Sequence, residues 1–456
     1  MHRRDLLKAS ALLPFLTAGA TAPPDWAGLR RGLSGTLVRP GDASYDQARR
    51  LFNPVYDAIR PGGVAYCASS ADVARYVSFA RTTGVPLTPR SGGHSYAGWS
   101  TGSGLVVDVS RMNTVAYRDG LATIGAGAKL MDVYTKLAAH GVSIPGGSCP
   151  TVGVAGLALG GGIGVVARKH GLTCDKLESV RIVTADGRVL DCDERHHDGL
   201  YWACRGGGGG NFGVVTSMTF RTHAARDVTV FFLHWPWARA AKAVKAWQSW
   251  APTAPDELWS TLHLSREHTA LDVSIGGLYL GGQAALERHL APLTAKLGPP
   301  SSRVVRGVTY LRAMQIMAGG PAVRESFTAK SHIAYGRLGA DGIAALVSHV
   351  ARPGRHAVLL DAFGGAISRV SPGDTAFPHR RALFSVQYYQ QGTSRSWLRG
   401  VHAAMRPELG DHAYVNYIDP DLTGWRSAYY GGNLDRLARV KSTYDPDRLF
   451  RLPQGI

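Results

Sequence analysis

Acidic residues are scarce in this chain. Its 456 residues hold 33 Asp and Glu against 51 Lys and Arg, a formal net charge of +18. Such an excess invites a nucleic-acid reading, yet the basic residues stand in ones and twos, as in Arg49-Arg50 and Arg380-Arg381, and form no run. No zinc-finger spacing, RNA-recognition motif or basic zipper accompanies them, so no nucleic-acid partner is expected. The charge is expected to act through its field, drawing anionic surfaces or substrates. Long apolar runs are missing too. Past the N-terminus no segment approaches the ~18 apolar residues of a membrane helix, so an integral membrane protein is not expected. The glycine-rich run from Gly146 to Gly164 carries neither the Gly-Lys-Ser/Thr of a P-loop nor the Gly-x-Gly-x-x-Gly order of a Rossmann turn. No metal site is expected. Cysteine is sparse and odd in number, with five residues. An odd count leaves at least one thiol for a role other than pairing, and Cys149 is the candidate. Whether Cys192 and Cys204 pair stays open.

Glycine, by contrast, is abundant, with 56 residues, and it clusters. With hydrophobic residues at 45% and charged residues at 18%, the composition is that of a folded globular protein. The length makes two domains the default. The N-terminus joins Arg3-Arg4 to an apolar stretch from Ala9 to Ala18 and to Ala20-Thr21-Ala22. This order resembles a twin-arginine export signal over residues 1–22, which implies an exported protein. From Gly63 to Arg90 the pattern reads strand, helix, strand, with Ser69 or Ser70 as cap, Val73, Tyr76, Val77 and Ala80 at helical spacing, and Gly84 as the stop. A looser repeat follows, with a strand at Leu121–Ile124 and a helix at Leu130–His140. Between about Val228 and Gly400 strand-like runs at Thr261–Leu264 and Leu271–Leu280 mix with helices near Ala240–Trp250 and Ala284–Leu297. The chain ends on Tyr444-Asp445-Pro446 and an apolar piece that reads as a strand.

Two glycine clusters carry chemistry. In Arg90-Ser91-Gly92-Gly93-His94-Ser95-Tyr96-Ala97-Gly98 a strand runs into a turn whose amides can cradle a pyrophosphate, with His94 beside the ligand. Its bland alternative is a plain turn with a hydrogen-bonded histidine. In the second, Cys149 is followed by Val152, Gly153, Gly156, Gly160, Gly161 and Gly164, interleaved with small apolar residues. Such a run lets backbone lie flat against a planar ligand and its phosphates.

Together these motifs resemble the berberine bridge enzyme-like branch of the vanillyl-alcohol oxidase superfamily. The first looks like that family's histidyl-flavin segment and the second like its cysteinyl-flavin segment. The resemblance implies FAD bonded twice, His94 to the flavin 8α-methyl and Cys149 to C6. It extends to Arg168–Asp175, to Trp202–Val215 with its five glycines, and to Tyr414-Val415-Asn416-Tyr417 and the residues after it. In relatives the segments around Arg168 and through Val215 line the adenylate and pyrophosphate. The fold implied is α+β: a two-part FAD-binding domain of the vanillyl-alcohol oxidase type, over residues 40–220 with a returning C-terminal segment at 410–456. An α+β substrate domain with an antiparallel sheet would occupy 221–409.

By the same resemblance Tyr417 is the base that takes a hydroxyl proton, and Gln387 lines the pocket opposite it. A phenol titrates near 10, so a cation or hydrogen bonds would have to acidify it. The alternative is a core tyrosine packed beside Asn416. Ser385 stands where some plant relatives have a lysine and Leu157 where many have a histidine, so the flavin's surroundings differ there. Val152 matches a position that gates oxygen, and a valine there goes with oxidase activity. The expected function is oxidation of an alcohol on a sugar, glycoside or secondary metabolite, with O2 reduced to H2O2. Oxidative cyclisation at an activated C–H is the alternative, and a non-catalytic flavin-containing binding protein the reading from another class.

Overall fold

The computed structural model describes residues 24–30, 33–320 and 322–456, so the expected export signal lies outside the described residues. The unit from Gly63 to Arg90 forms as its pattern dictates. Ser69 opens the helix Ser70–Thr83 with a capping box: its hydroxyl accepts from the Asp72 amide, and the Asp72 carboxylate accepts from the Ser69 amide. Val73, Tyr76, Val77 and Ala80 share the buried face. Gly84, at φ 72°, closes the helix in the left-handed region that glycine enters without cost.

In chain order the strands are β1 (Thr36–Val38), β2 (Gly63–Tyr66), β3 (Leu87–Arg90), β4 (Leu105–Asp108), β5 (Val115–Arg118), β6 (Leu121–Gly125), β7 (Val142–Ser143), β8 (Leu177–Val183), β9 (Val189–Cys192), β10 (Val214–Arg221), β11 (His223–Ala224), β12 (Val228–Trp235), β13 (Leu258–His268), β14 (Ala270–Tyr279), β15 (Ser302–Val308), β16 (Phe327–Ala334), β17 (Gly354–Ala362) and β18 (Phe384–Gln391). A four-stranded sheet, β1-β2-β4-β3, is parallel except for β1. Beside it lies an antiparallel sheet of five strands, β5-β6-β10-β8-β9. Leu130, Val133 and Leu137 of the helix Leu130–Ala138 join the same core as β4, β6, β8 and β10. The third sheet is antiparallel throughout, in the order β15-β12-β14-β13-β17-β18-β16. The architecture is thus α+β.

Strand alternation gives the large sheet two unlike faces. Phe231 and Leu233, Leu262 and Leu264, Val273 and Ile275, Val358 and Leu360, and Val386 and Tyr388 pack into a core under the helices Ala240–Trp250, Gln283–Leu297, Ala340–Val350 and Ser396–Leu409. Their neighbours in sequence point the other way. Two rows cross the strands there in register: Phe232, Gly276, Thr261, Asp361 and Ser385, then His234, Ser274, His263, Leu359 and Gln387.

One detail answers a question the sequence left open, and a second departs from the sequence reading. Cys192 and Cys204 are both free and buried, and so are Cys67 and Cys174. After Asp445 the chain forms no strand. The Asp445 carboxylate accepts from the amides of Leu449 and Phe450 at 2.7 and 2.9 Å, which curls the backbone into a turn before any ladder can begin. Lys441 then pins that turn, donating to Asp445 and to the carbonyls of Asn211 and Phe450 at 2.6 to 2.7 Å.

Lys441 and Asp445 are both almost wholly buried, and removing one partner strands the other charge. Asp445→Asn is expected to cost about 3 kcal/mol of unfolding free energy, read as a lower urea midpoint.

Candidate active site

The site is built where β3 runs out. Arg90, its last residue, is held by an ion pair with Asp108 at the end of β4 and donates to the Ala48 carbonyl at 2.7 Å. Ser91 then donates to the Ala126 carbonyl at 2.6 Å. Gly93, at φ 70°, swings the chain around and sends His94 outward. Here the two glycine clusters cross: a Cβ on Gly92 would collide with the amide of Gly153, and one on Gly153 with the hydroxyl of Ser91. Backbone bonds from Leu130 to the Val152 carbonyl and from Val154 to the Ala128 carbonyl, both 3.0 Å, fix the second cluster in place. His94 and Cys149 therefore share the wall of one cavity of about 650 Å³.

The C-terminal segment closes that cavity. The Tyr414 hydroxyl accepts from the amides of Gly162 and Ile163 at 3.0 and 3.3 Å. Asn416 donates to the Leu157 carbonyl and the Tyr414 hydroxyl at 2.9 and 2.8 Å. Tyr417 follows, stacked on Tyr96 at 5.2 Å between ring centres and edge-on to Tyr414 at 4.9 Å. Gln387 donates to the Tyr96 hydroxyl at 2.8 Å. The large sheet supplies the opposite wall with its second face: Phe232, Trp259, Thr261, His263, Asp361 and Gln387.

Most expected site residues meet here. Arg90, Ser91, Gly92, Gly93, His94, Ser95, Cys149, Val152, Gly153, Gly156, Gly164, Val215, Gln387, Tyr414, Asn416 and Tyr417 all line the cavity. Gly98, Gly160 and Gly161 do not. They make room for the ring of Tyr56, the amide of Asn416 and the ring of Phe377, and so shape the scaffold behind the wall. Of the glycine run, Gly208, Gly209 and Gly210 reach the cavity. Residues 168–175 stand away from it. Arg168 is buried and donates to the carbonyls of Phe363 and Ala254, while Asp175 takes a bidentate bond from Arg380. That segment joins the glycine-rich core to the sheet layer.

Burial sets the ionisation of the walls. It pushes His94 down to about 4, helped by the Lys129 charge, so the ring is neutral. It holds the Cys149 thiol above the usual range, with the Asp361 carboxylate adding to the effect. Asp361 is raised to about 6 by burial, against the pull of the hydroxyls of Thr261 and Ser385 beside it. Tyr417 is also held well above its ordinary value, first by burial and then by Tyr96 and Asp361. Among the described residues neither a cation nor a hydrogen bond lowers it, so the acidification by one or the other that the sequence called for has no source there. Asp361 was missed in the sequence, although an aspartate closing the apolar run Ala357-Val358-Leu359-Leu360 is a visible anomaly. Tyr96 lay inside a motif already singled out.

The cavity suits a dinucleotide with a flat ring. A Cβ added to Gly156 meets nothing within 4 Å, and one on Gly209 meets only Leu159 and Gly156, at 3.9 and 4.0 Å. Neither glycine is demanded by the protein's own packing, so what they preserve is the slot between them. Arg90 Nη1, buried at the head of the turn, has no protein partner and is a donor left for an acceptor such as a phosphate oxygen.

These features define an FAD-binding enzyme, and comparison with known proteins agrees. Residues 61–193 match the FAD binding domain family and residues 413–456 the family described as berberine and berberine like. The chain is 35% identical to the uncharacterized FAD-linked oxidoreductase YgaK of Bacillus subtilis, over 93% of this chain and 97% of that one. It is 30% identical to a chitooligosaccharide oxidase of Gibberella zeae, over 91% and 92%. Its fold superposes on Physcomitrella patens BBE-like 1 with a TM-score of 0.89 at 31% identity, covering 94% and 98%. The chain belongs to the berberine bridge enzyme-like family of FAD-linked oxidases.

Gly156→Leu should fill the slot without harming the helix Val154–Leu159, since leucine is the better helix former by roughly 1 kcal/mol. The expected product is a folded protein with an unchanged far-ultraviolet circular dichroism spectrum that purifies without flavin absorbance.

Proposed function

We propose that this chain bonds FAD through His94 and Cys149 and oxidises an alcohol carbon of a sugar, glycoside or related metabolite to a carbonyl, passing the electrons to O2 and forming H2O2. The observation that carries the reading is the convergence on one cavity of His94 and Cys149, from separate segments, with Tyr417, Asp361 and Gln387. FAD, when bound, supplies the acceptor for the electron pair leaving the carbon. The protein's part is to hold the alcohol and take its hydroxyl proton.

Tyr417 and Asp361, on the same cavity wall, are the groups placed to receive that proton. Burial and the Asp361 charge hold the Tyr417 phenol well above its ordinary value. A base works best with a value near the operating pH, and the Asp361 carboxylate at about 6 meets that condition where the phenol does not. Below about pH 6 Asp361 is protonated and neutral and can accept no proton from substrate; above it, the carboxylate is available. The substrate that fits is uncharged. Among the described residues Arg90 is the one Arg or Lys on the cavity wall; its charge is met by Asp108 and its free Nη1 sits at the turn that suits the FAD phosphates, so the net positive charge gives no further group for an anionic substrate. That observation favours a hydroxyl-rich neutral substrate over the anionic one suggested by composition. The printed name of the chitooligosaccharide oxidase relative points the same way. Export through the twin-arginine route is part of the proposal and rests on residues 1–22 alone.

The test is peroxide release across a panel of sugars, oligosaccharides and simple alcohols. Dye reduction without peroxide would make the protein a dehydrogenase, and a ring-closed product from an activated C–H would favour cyclisation. Tyr417→Phe should slow anaerobic flavin reduction by about 100-fold or more, the scale of a lost general base. Asp361→Asn should remove the rise of kcat/KM with pH whose midpoint lies near 6 in the unmodified protein. Val152→Leu, which crowds the wall between Cys149 and Gly153, should slow reoxidation by O2 about tenfold while leaving reduction by substrate nearly unchanged, a barrier of ~1.4 kcal/mol.

A further inference from the structure

Thr151 lies two residues past Cys149, yet its side chain serves His94. Its hydroxyl oxygen is 2.9 Å from His94 Nε2 and is able to accept a hydrogen carried by that nitrogen. On the face of the ring, Phe52 stacks at 4.1 Å between centres with 19° between planes. Phe52 is itself tied to the turn, its amide donating to the Gly93 carbonyl at 3.1 Å. Nδ1, on the far side of the imidazole, has no hydrogen bond among the described residues and is not sealed off from the cavity that His94 lines. A neutral imidazole with its hydrogen on Nε2 keeps its lone pair on Nδ1.

We propose that Thr151 and Phe52 are positioning residues for attachment of the flavin at His94. Thr151 holds the hydrogen on Nε2 and Phe52 holds the ring plane, so Nδ1 presents its lone pair to the cavity. The inference rests on the reading of His94 as a flavin-bonding residue. In attachment, the Nδ1 lone pair forms a bond to the 8α-methyl carbon of the flavin and that carbon gives up one hydrogen as a proton. Nε2 gives up its hydrogen as a second proton on the Thr151 side, and the flavin keeps the electron pair. Dioxygen then takes two electrons and two protons, leaving oxidised, linked flavin and one H2O2. The roles are separable from attachment at Cys149, because the Thr151 hydroxyl is bonded to His94 and the Phe52 ring is stacked on it. Thr151→Val keeps the shape of the side chain and removes the oxygen, whereas Thr151→Ser keeps the oxygen.

The experiment is peptide mass mapping of the denatured, flavin-loaded protein, scoring linkage at His94 and at Cys149 separately in the unmodified chain and in Thr151→Val, Thr151→Ser and Phe52→Leu. The expected result is linkage at both sites in the unmodified chain and an at least fivefold lower fraction linked at His94 in Thr151→Val and Phe52→Leu. Cys149 linkage should be unchanged, and Thr151→Ser should restore His94. An unmodified chain with no flavin on His94 overturns the reading on which the inference rests. Linkage at both sites in the unmodified chain, with unchanged His94 linkage in Thr151→Val and Phe52→Leu, overturns the inference alone. Equal loss at both sites in those variants, or Thr151→Ser behaving like Thr151→Val, shows a merely structural role and also overturns it.

Discussion

The contact between Gly92 and Gly153 is the constraint on which the site depends. Two segments far apart in sequence approach so closely there that neither tolerates a Cβ, and the residues just beyond them, His94 on one and Cys149 on the other, are thereby brought to a common wall. The approach is enforced from behind by backbone bonds to Ala128 and Leu130 and by the Ser91 hydroxyl on Ala126. All of these partners belong to the end of β6 and the start of the helix that follows it. A rigid crossing of backbones, not side-chain packing, sets the spacing of the reactive groups, and this is the arrangement a two-point attachment to one flat ring requires.

The rest of the cavity is assembled around that crossing from chemically different parts. The glycine side is nearly featureless and donates amides. The sheet side is patterned, because alternation along its strands delivers every second residue to the cavity and commits the others to the helical core. One cross-strand row carries the carboxylate and hydroxyls and the next carries imidazoles and an amide, so neighbouring positions on the wall differ in what they can donate or accept. With Arg90 neutralised by Asp108, the protein's large positive charge is kept out of this chamber. Net charge therefore says little about the ligand, which meets a local field set by Asp361 and by groups that burial holds neutral.

Much of this was legible in the amino-acid sequence, and the pattern of success has physical causes. The helix at Ser70–Thr83 and the glycine clusters could be read because their signals are local: a cap, a 3.6-residue period, a run that only close backbone approach explains. The cavity-lining roles of His94, Cys149, Tyr414 and Tyr417 followed from motifs. Asp361 and His263 were not legible as site residues, since only the pairing of β13, β17 and β18 puts them on the same wall as Tyr417. The final segment misled because apolar content alone cannot tell a strand from a turn held by one carboxylate, and Asp445 decides the matter through bonds to Leu449 and Phe450. Gly98, Gly160 and Gly161 looked like their neighbours in the motifs but make room for protein side chains.

The distribution of cavity residues along the chain carries a consequence for biosynthesis. The wall draws on residues from Pro89 through Tyr417 to Leu452 and Gln454. A ribosome that has just released the large sheet has already made both groups proposed to bond to flavin, but not the segment that closes over them. The chamber is thus finished only when the segment through Gln454 has been made. A product lacking that segment would expose its imidazole and thiol to a cleft with no back wall.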